Sequence, residues 1–212
     1  MKRNLVAPFL MCLVFTAVLA AEPGKKPSDG TSHEHAYYTY LEESGPFKLM
    51  VYSYPAMWRE ESSCFPLQIA VGLGKTDKKV ALRLANFLLI DAAGKESTPQ
   101  DYKTVLKEYK DGPGDRDFIK QFPMQVGNAF GEYDQIQAEF YPPTNSPALA
   151  TDVVELPSAT WWTGVIYYAN AKVGLDGILT LWLEGKDFQP PIAVKFRVPP
   201  AKPRKDQKDH VK

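Results

Sequence analysis

The amino-acid sequence predicts a mainly β chain, an antiparallel β-sandwich of about eight strands that carries one short inserted helix. Three observations lead there. Between Cys64 and Lys95 the apolar residues recur at every second position, so that Leu67, Ile69, Val71 and Leu73 share one strand face and Gln68, Ala70 and Gly72 the other. Runs of this kind return along the chain, parted by clusters of Gly, Pro, Asn, Asp and Ser. One stretch after Gly94 changes instead to a helical period.

Residues 1–20 read as a secretory signal peptide. Lys2 and Arg3 form a basic end, Leu5 to Leu19 an apolar core, and Val18-Leu19-Ala20 a small-residue cleavage site that makes Ala21 the first mature residue. The apolar core is too short to anchor the chain, and no later segment approaches the roughly 20 apolar residues of a membrane span. The expected product is exported, periplasmic or extracellular, with no integral membrane segment after cleavage. Cys12 follows Met11 inside the apolar core and lacks the setting of a lipidated cysteine. Cleavage takes two of the 25 basic residues and none of the 25 acidic ones, and a mildly acidic chain argues against a nucleic-acid partner. Cys64 is then the one remaining cysteine, so no intramolecular disulfide can form and the hydrophobic core must hold the fold.

Residues 21–35 read as a disordered linker, rich in Pro, Gly, Ser and Lys. His33 and His35 within it are a weak metal signal, because the third histidine, His210, lies in the opposite tail. A single sandwich domain spans 36–198. Tyr37 to Leu41 and Phe47 to Tyr54 are its first strands, with Ser44-Gly45-Pro46 as the turn and Trp58 to Ser63 as a polar connection. A long hairpin follows from Cys64 to Lys95. Its second run, Val80, Leu82 and Leu84, changes phase near Asn86, which calls for a bulge before Phe87 and Leu89. Asp91-Ala-Ala-Gly94 ends it, with Asp opening a type I turn and Gly taking a positive φ.

The helical insertion covers about 98–122. Thr98 offers a capping hydroxyl and Pro99 a first helical position, and Tyr102, Val105, Leu106 and Tyr109 form an apolar stripe. Asp111-Gly112-Pro113-Gly114 ends this helix, and another turn or two follow around Phe118, Ile119 and Phe122. The carboxylates Asp111, Asp115 and Asp117 lack the spacing of a calcium loop and read as a solvated helix end. Tyr133 to Tyr141 and Asp152 to Leu156 are weaker strands. Trp161 to Tyr168 and Ile178 to Leu183 form a C-terminal hairpin, Ile192 to Val198 is the last strand, and 199–212 is a disordered basic tail.

The segment FLLIDAAGK and the run TWWTGVIYY followed by GILTLW resemble exported bacterial immunoglobulin-like β-sandwich modules of unassigned function. The resemblance extends in pattern over residues 47–198. It implies an immunoglobulin-like sandwich and a non-catalytic interaction or structural module of the bacterial envelope. No binding residue carries over from it, and the missing disulfide departs from the antibody pattern.

The chemistry that remains is sparse. With each histidine placed in a terminal arm, a Ser-His-Asp or Cys-His site has no base. Gly72-Leu73-Gly74 sits in a hairpin turn with no helix after it, so no phosphate loop is present. Glu132, Asp134 and Glu139 are the nearest candidates for a glycosidase pair, but acids on sandwich strands form the wet face. The chain is therefore expected not to be an enzyme and to use no cofactor or metal. Its partner is an unknown protein or a glycan, with Trp58, Trp161, Trp162 and Trp182 as flat platforms for sugar rings. Both faces of Trp161 to Tyr168 are apolar: Trp161, Thr163, Val165 and Tyr167 on one, Trp162, Gly164, Ile166 and Tyr168 on the other. A two-layer sandwich covers only one face of each sheet, so the second must meet the inserted helix or stay open beside it. The candidate binding residues on this hairpin are Trp161, Trp162, Tyr168 and Trp182; full burial of the three tryptophans would leave it purely structural. The sequence does not specify an oligomeric state.

Overall fold

Phe47–Tyr52 and Cys64–Leu73 build the centre of the molecule, because each of these strands has an apolar face to hide. The computed structural model describes residues 31–59, 61–143 and 149–200, and the signal-peptide segment and most of the basic tail lie outside them. The chain is mainly β, with twelve strands among the described residues. A six-stranded sheet contains β1 (His33–Ala36), β2 (Thr39–Ser44), β3 (Phe47–Tyr52), β4 (Cys64–Leu73), β10 (Thr160–Ala169) and β8 (Asp134–Ile136), in that order. A four-stranded sheet has the order β12 (Phe188–Phe196), β11 (Leu179–Gly185), β6 (Phe87–Ile90) and β7 (Glu96–Ser97). β5 (Val80–Leu82) and β9 (Val154–Leu156) pair separately.

One core joins the inner faces of the two larger sheets, an arrangement compatible with a β-sandwich. Leu49, Val51, Leu67, Ile69, Val71, Trp162 and Ile166 come from one side and Phe87, Leu89, Leu179, Leu181, Leu183 and Val194 from the other, all essentially without solvent exposure. Phe47 meets Phe188 at 5.2 Å between ring centroids, and Phe87 meets Trp162 at 6.4 Å.

Both hairpins read from the sequence divide between sheets. β4 pairs with β3 and β10, whereas β6 pairs with β11 and β7. The phase change near Asn86 is a 3₁₀ turn over Leu84–Asn86 and not a bulge. Asn86 fixes it, accepting the Arg83 N–H at 2.8 Å and donating to the Glu184 carbonyl at 2.8 Å. Likewise β10 and β11 stand in different sheets. Alternation reports which face a residue occupies and leaves its partner strand open. The turn at Asp91 is as expected: Gly94 has φ +81° and its N–H donates to the Asp91 carbonyl at 3.0 Å. Asp91 Oδ1 also accepts the N–H groups of Lys95 and Ala93, and Oδ2 reaches across to the Gly174 N–H at 3.1 Å.

The segment 21–35 is not wholly a linker, since Thr31 and Ser32 are buried and β1 pairs with β2. The Ser32 N–H donates to the Lys195 carbonyl at 2.7 Å, and Ser32 Oγ accepts the Lys195 N–H at 2.8 Å. His33 and His35 thus belong to the folded body, in β1 against β2. The insertion is two helices, α1 (Tyr102–Glu108) and α2 (Gly112–Gln121). Asp101, not Thr98, caps α1 by accepting the Thr104 N–H at 2.9 Å and its hydroxyl at 2.6 Å. Gly112 and Pro113 open α2, where proline at a helix start loses no hydrogen bond. Of the expected stripe, Val105 and Tyr109 are buried and Tyr102 half-buried, while Leu106 is 50% exposed. No helix among the described residues is long and apolar enough to cross a membrane.

Candidate functional site

The outer face of the six-stranded sheet is apolar enough to demand a cover. β3 and β4 turn Met50, Tyr52 and Ala70 outward and β10 adds Trp161, and a second hydrophobic cluster forms there with Met124 and Phe130. The chain after α2 can lie this close because position 72 has no side chain. A Cβ on Gly72 would meet Phe130 Cε1 at 2.6 Å. Phe130 stacks on Trp161 with centroids 4.9 Å apart and planes 11° from parallel. Lys48 pins the same segment by donating to the Ala129 carbonyl at 3.1 Å.

The helices are tied down by a buried ion pair. Asp115 is 1% exposed and accepts from Arg59 Nε at 2.7 Å and from the Tyr109 hydroxyl at 2.6 Å. Burial pushes the Asp115 carboxyl above its ordinary value, and the donors Tyr109 and Arg59 pull against that. Asp115 is thus an internal anchor and not part of a solvated helix end. The described residues contain no group of three or more His, Cys, Asp or Glu placed to hold a metal ion.

The four residues expected to bind do not converge. Trp162 and Tyr168 lie on the inner face of β10, fully buried. Trp162 Nε1 donates to the Ala138 carbonyl at 2.9 Å, and Tyr168 stacks on Phe65 at 5.8 Å with its hydroxyl unpaired among the described residues. Trp161 faces the opposite side, partly covered by Phe130. Trp182 is half-buried on the outer face of the other sheet, between Leu88 and Ala193. The three tryptophans are therefore not all buried, yet no two share a platform. Trp58, at the end of a 3₁₀ turn over Tyr54–Trp58, is 43% exposed.

A different set of rings does converge. Tyr37, Tyr54, Phe118 and Phe122 form a continuous row, with successive centroids 5.4, 5.5 and 5.1 Å apart. Tyr38 and Tyr52 flank Tyr54 at 6.3 and 6.1 Å. Both ends are open, Tyr37 being 62% and Phe122 46% exposed. The row draws on the β1–β2 turn, the 3₁₀ turn that follows β3, and helix α2 with its C-terminal cap. Tyr38 holds a left-handed φ of +49°, uncommon for an aromatic residue. Its N–H donates to Glu34 Oε1 at 2.9 Å, and its carbonyl accepts the Ser53 N–H at 3.1 Å. Burial pushes the Tyr52 phenol up to about 12 and raises Tyr38 as well. The sequence hides this row because its members are scattered over more than eighty positions with no shared period. Comparison with protein-family models, curated proteins and solved structures gives no match for this chain.

Proposed function

We propose that the chain is an exported, non-catalytic protein-binding module of the bacterial envelope, and that it meets its partner through the aromatic row Tyr37–Tyr54–Phe118–Phe122. The observation that carries this reading is the row itself, open at both ends and anchored at a turn with strained backbone. Contiguous exposed aromatics are uncommon on monomeric proteins unless they serve an interface, and tyrosine offers contact area with few rotatable bonds to order. Export rests on the leader pattern of residues 1–20, with cleavage after Ala20. The immunoglobulin-like class belongs to the same proposal, supported by two sheets over one core.

The test is retention of envelope proteins by immobilised mature chain, wild type against Tyr37→Ser/Phe122→Ser, beside a glycan array. A discrete protein held by the wild type and lost with the double variant is the expected result. Equal retention by both overturns the assignment to the row. Glycan binding abolished by Trp58→Ala replaces it with the carbohydrate-binding alternative, for which Trp58 is the best-exposed platform. Concentration-dependent self-association abolished by the double variant makes the partner a second copy.

A further inference from the structure

Beside the row, the two helices meet the outer sheet face along a groove lined by other residues. Cavities of about 260 and 220 Å³ share Arg116, Tyr141 and Tyr167 as walls. Four phenols line the larger one, and three have partners. Tyr102 donates to the Pro142 carbonyl at 3.3 Å, Tyr109 to Asp115 at 2.6 Å and Tyr141 to the Gln100 carbonyl at 2.5 Å. The fourth, Tyr167, is 1% exposed and its hydroxyl makes no hydrogen bond among the described residues.

Arg116 lines both cavities with that hydroxyl. A Cβ on Gly112 would lie 3.8 Å from Arg116 Nη1 and 3.9 Å from the Tyr167 hydroxyl, so both donors face one space. No described carboxylate is within ion-pair distance of Arg116. Asp115 is taken by Arg59 and Tyr109, and Asp111 accepts from Ser62 at 3.0 Å. Lys110 and Lys120 add positive charge to the two cavities; Glu139 is the one carboxylate among their lining residues, and Asp115 lies near enough to act on the Tyr167 phenol. Burial holds the Tyr167 phenol above its ordinary range, and as a neutral phenol it is a donor.

We propose that this groove binds a small monocarboxylate, its anion gripped by the Arg116 guanidinium and the Tyr167 hydroxyl and its apolar body lodged against α1. A guanidinium meets a carboxylate through two parallel N–H···O bonds, and the tyrosine supplies one donor more. A phosphate dianion, with three terminal oxygens, would find too few unpaired donors in so apolar a setting. Val105, Leu106, Pro113 and the tyrosine rings suit an aliphatic or aromatic body.

The experiment titrates the full mature chain, observed by nuclear magnetic resonance, with acetate, butyrate, benzoate and phenylacetate. Each acid is paired with its neutral amide, and inorganic phosphate is a further arm. Saturable shifts at α1, α2 and β10 with at least one of the acids, and none with its amide, are expected. Arg116→Gln and Tyr167→Phe should each weaken that binding about tenfold or more. Tyr167→Phe keeps the ring that packs at 5.3 Å on Tyr109 and 5.1 Å on Tyr141, so it separates lost recognition from lost fold. No saturable response to any acid, equal response to the amides, or full binding in both variants overturns the proposal, as does tighter binding of phosphate. The protein-binding reading stands or falls separately, since no residue of its row is altered.

Discussion

Two single atoms' worth of space set much of the packing. Gly72 lets Phe130 close over the sheet and stack on Trp161. Gly72→Val puts branched carbons where that ring lies and is expected to cost about 1–3 kcal/mol, read as a lower urea midpoint and altered Trp161 fluorescence. An unchanged midpoint would mean that the 124–133 segment rides free of the sheet. Tyr168 presents the opposite case. Its buried hydroxyl has no partner among the described residues, so the ring contributes packing while the oxygen carries a desolvation cost. Tyr168→Phe should leave stability unchanged or raise it by about 1 kcal/mol in chemical denaturation. A clear loss would show that the hydroxyl has found a partner, such as a bound water. Both residues lay in plain view in the sequence, but burial by a segment sixty positions away has no local signature.

Individual elements depend on which of their faces finds a neighbour. Val105 is buried on α1 and Leu106 is not, so the two positions make a matched pair. Val105→Asp places an unpaired charge against Tyr109 and the sheet and should cost several kcal/mol, about 3 or more, whereas Leu106→Asp should stay within about 0.5 kcal/mol. Equal effects would contradict this orientation of α1. The Asp91 turn ties β6 to the segment before β11 through the Gly174 N–H. The N–H donors of Lys95 and Gly174, with that of Ala93, hold the Asp91 carboxyl below its ordinary value. A depressed folded-state value means that the stabilisation is present above the unfolded value, near pH 4, and is lost as pH falls through the folded one. The difference in urea midpoint between wild type and Asp91→Asn should therefore be constant from pH 7 to about 5 and shrink below about 4. A gap that widened on acidification would reverse the assignment. Strand faces and the Asp91–Gly94 turn were legible because period and turn chemistry are local. Partner strands were not, because pairing β10 with β4 needs contacts across some ninety residues. The capping signal at Thr98–Pro99 was real in kind but three residues early, and Asp101 won through its bonds to Thr104.

The whole molecule divides its labour by side. One face of the six-stranded sheet builds the core with the four-stranded sheet; on the other, the chain after α2 packs over Met50, Tyr52, Ala70 and Trp161, and α1 meets Tyr167 through Tyr109. The two-sided apolar character of Trp161–Tyr168 called for a cover; the inserted helices meet it only at Tyr167, and Phe130 from the chain after them covers Trp161. Its working surface was not legible. The tryptophans drew attention by size, yet adjacent positions on a strand point to opposite faces, which separates Trp161 from Trp162. Arg116 stands between Asp115 and Asp117, acids that read as a solvated helix end, though Asp115 turns inward to Arg59. The row from Tyr37 to Phe122 exists only once β1, β3 and α2 are in place.

The most direct measurement is site-specific photo-crosslinking in the producing cell. A benzoylphenylalanine at Phe122 is compared with one at Leu149, which is 88% exposed and not one of the row's rings. Irradiation should give a discrete adduct with an envelope protein from position 122 that Tyr37→Ser removes, and none from position 149. The same adducts from both positions, or none from position 122 in correctly exported protein, would contradict the assignment of the aromatic row as the binding face.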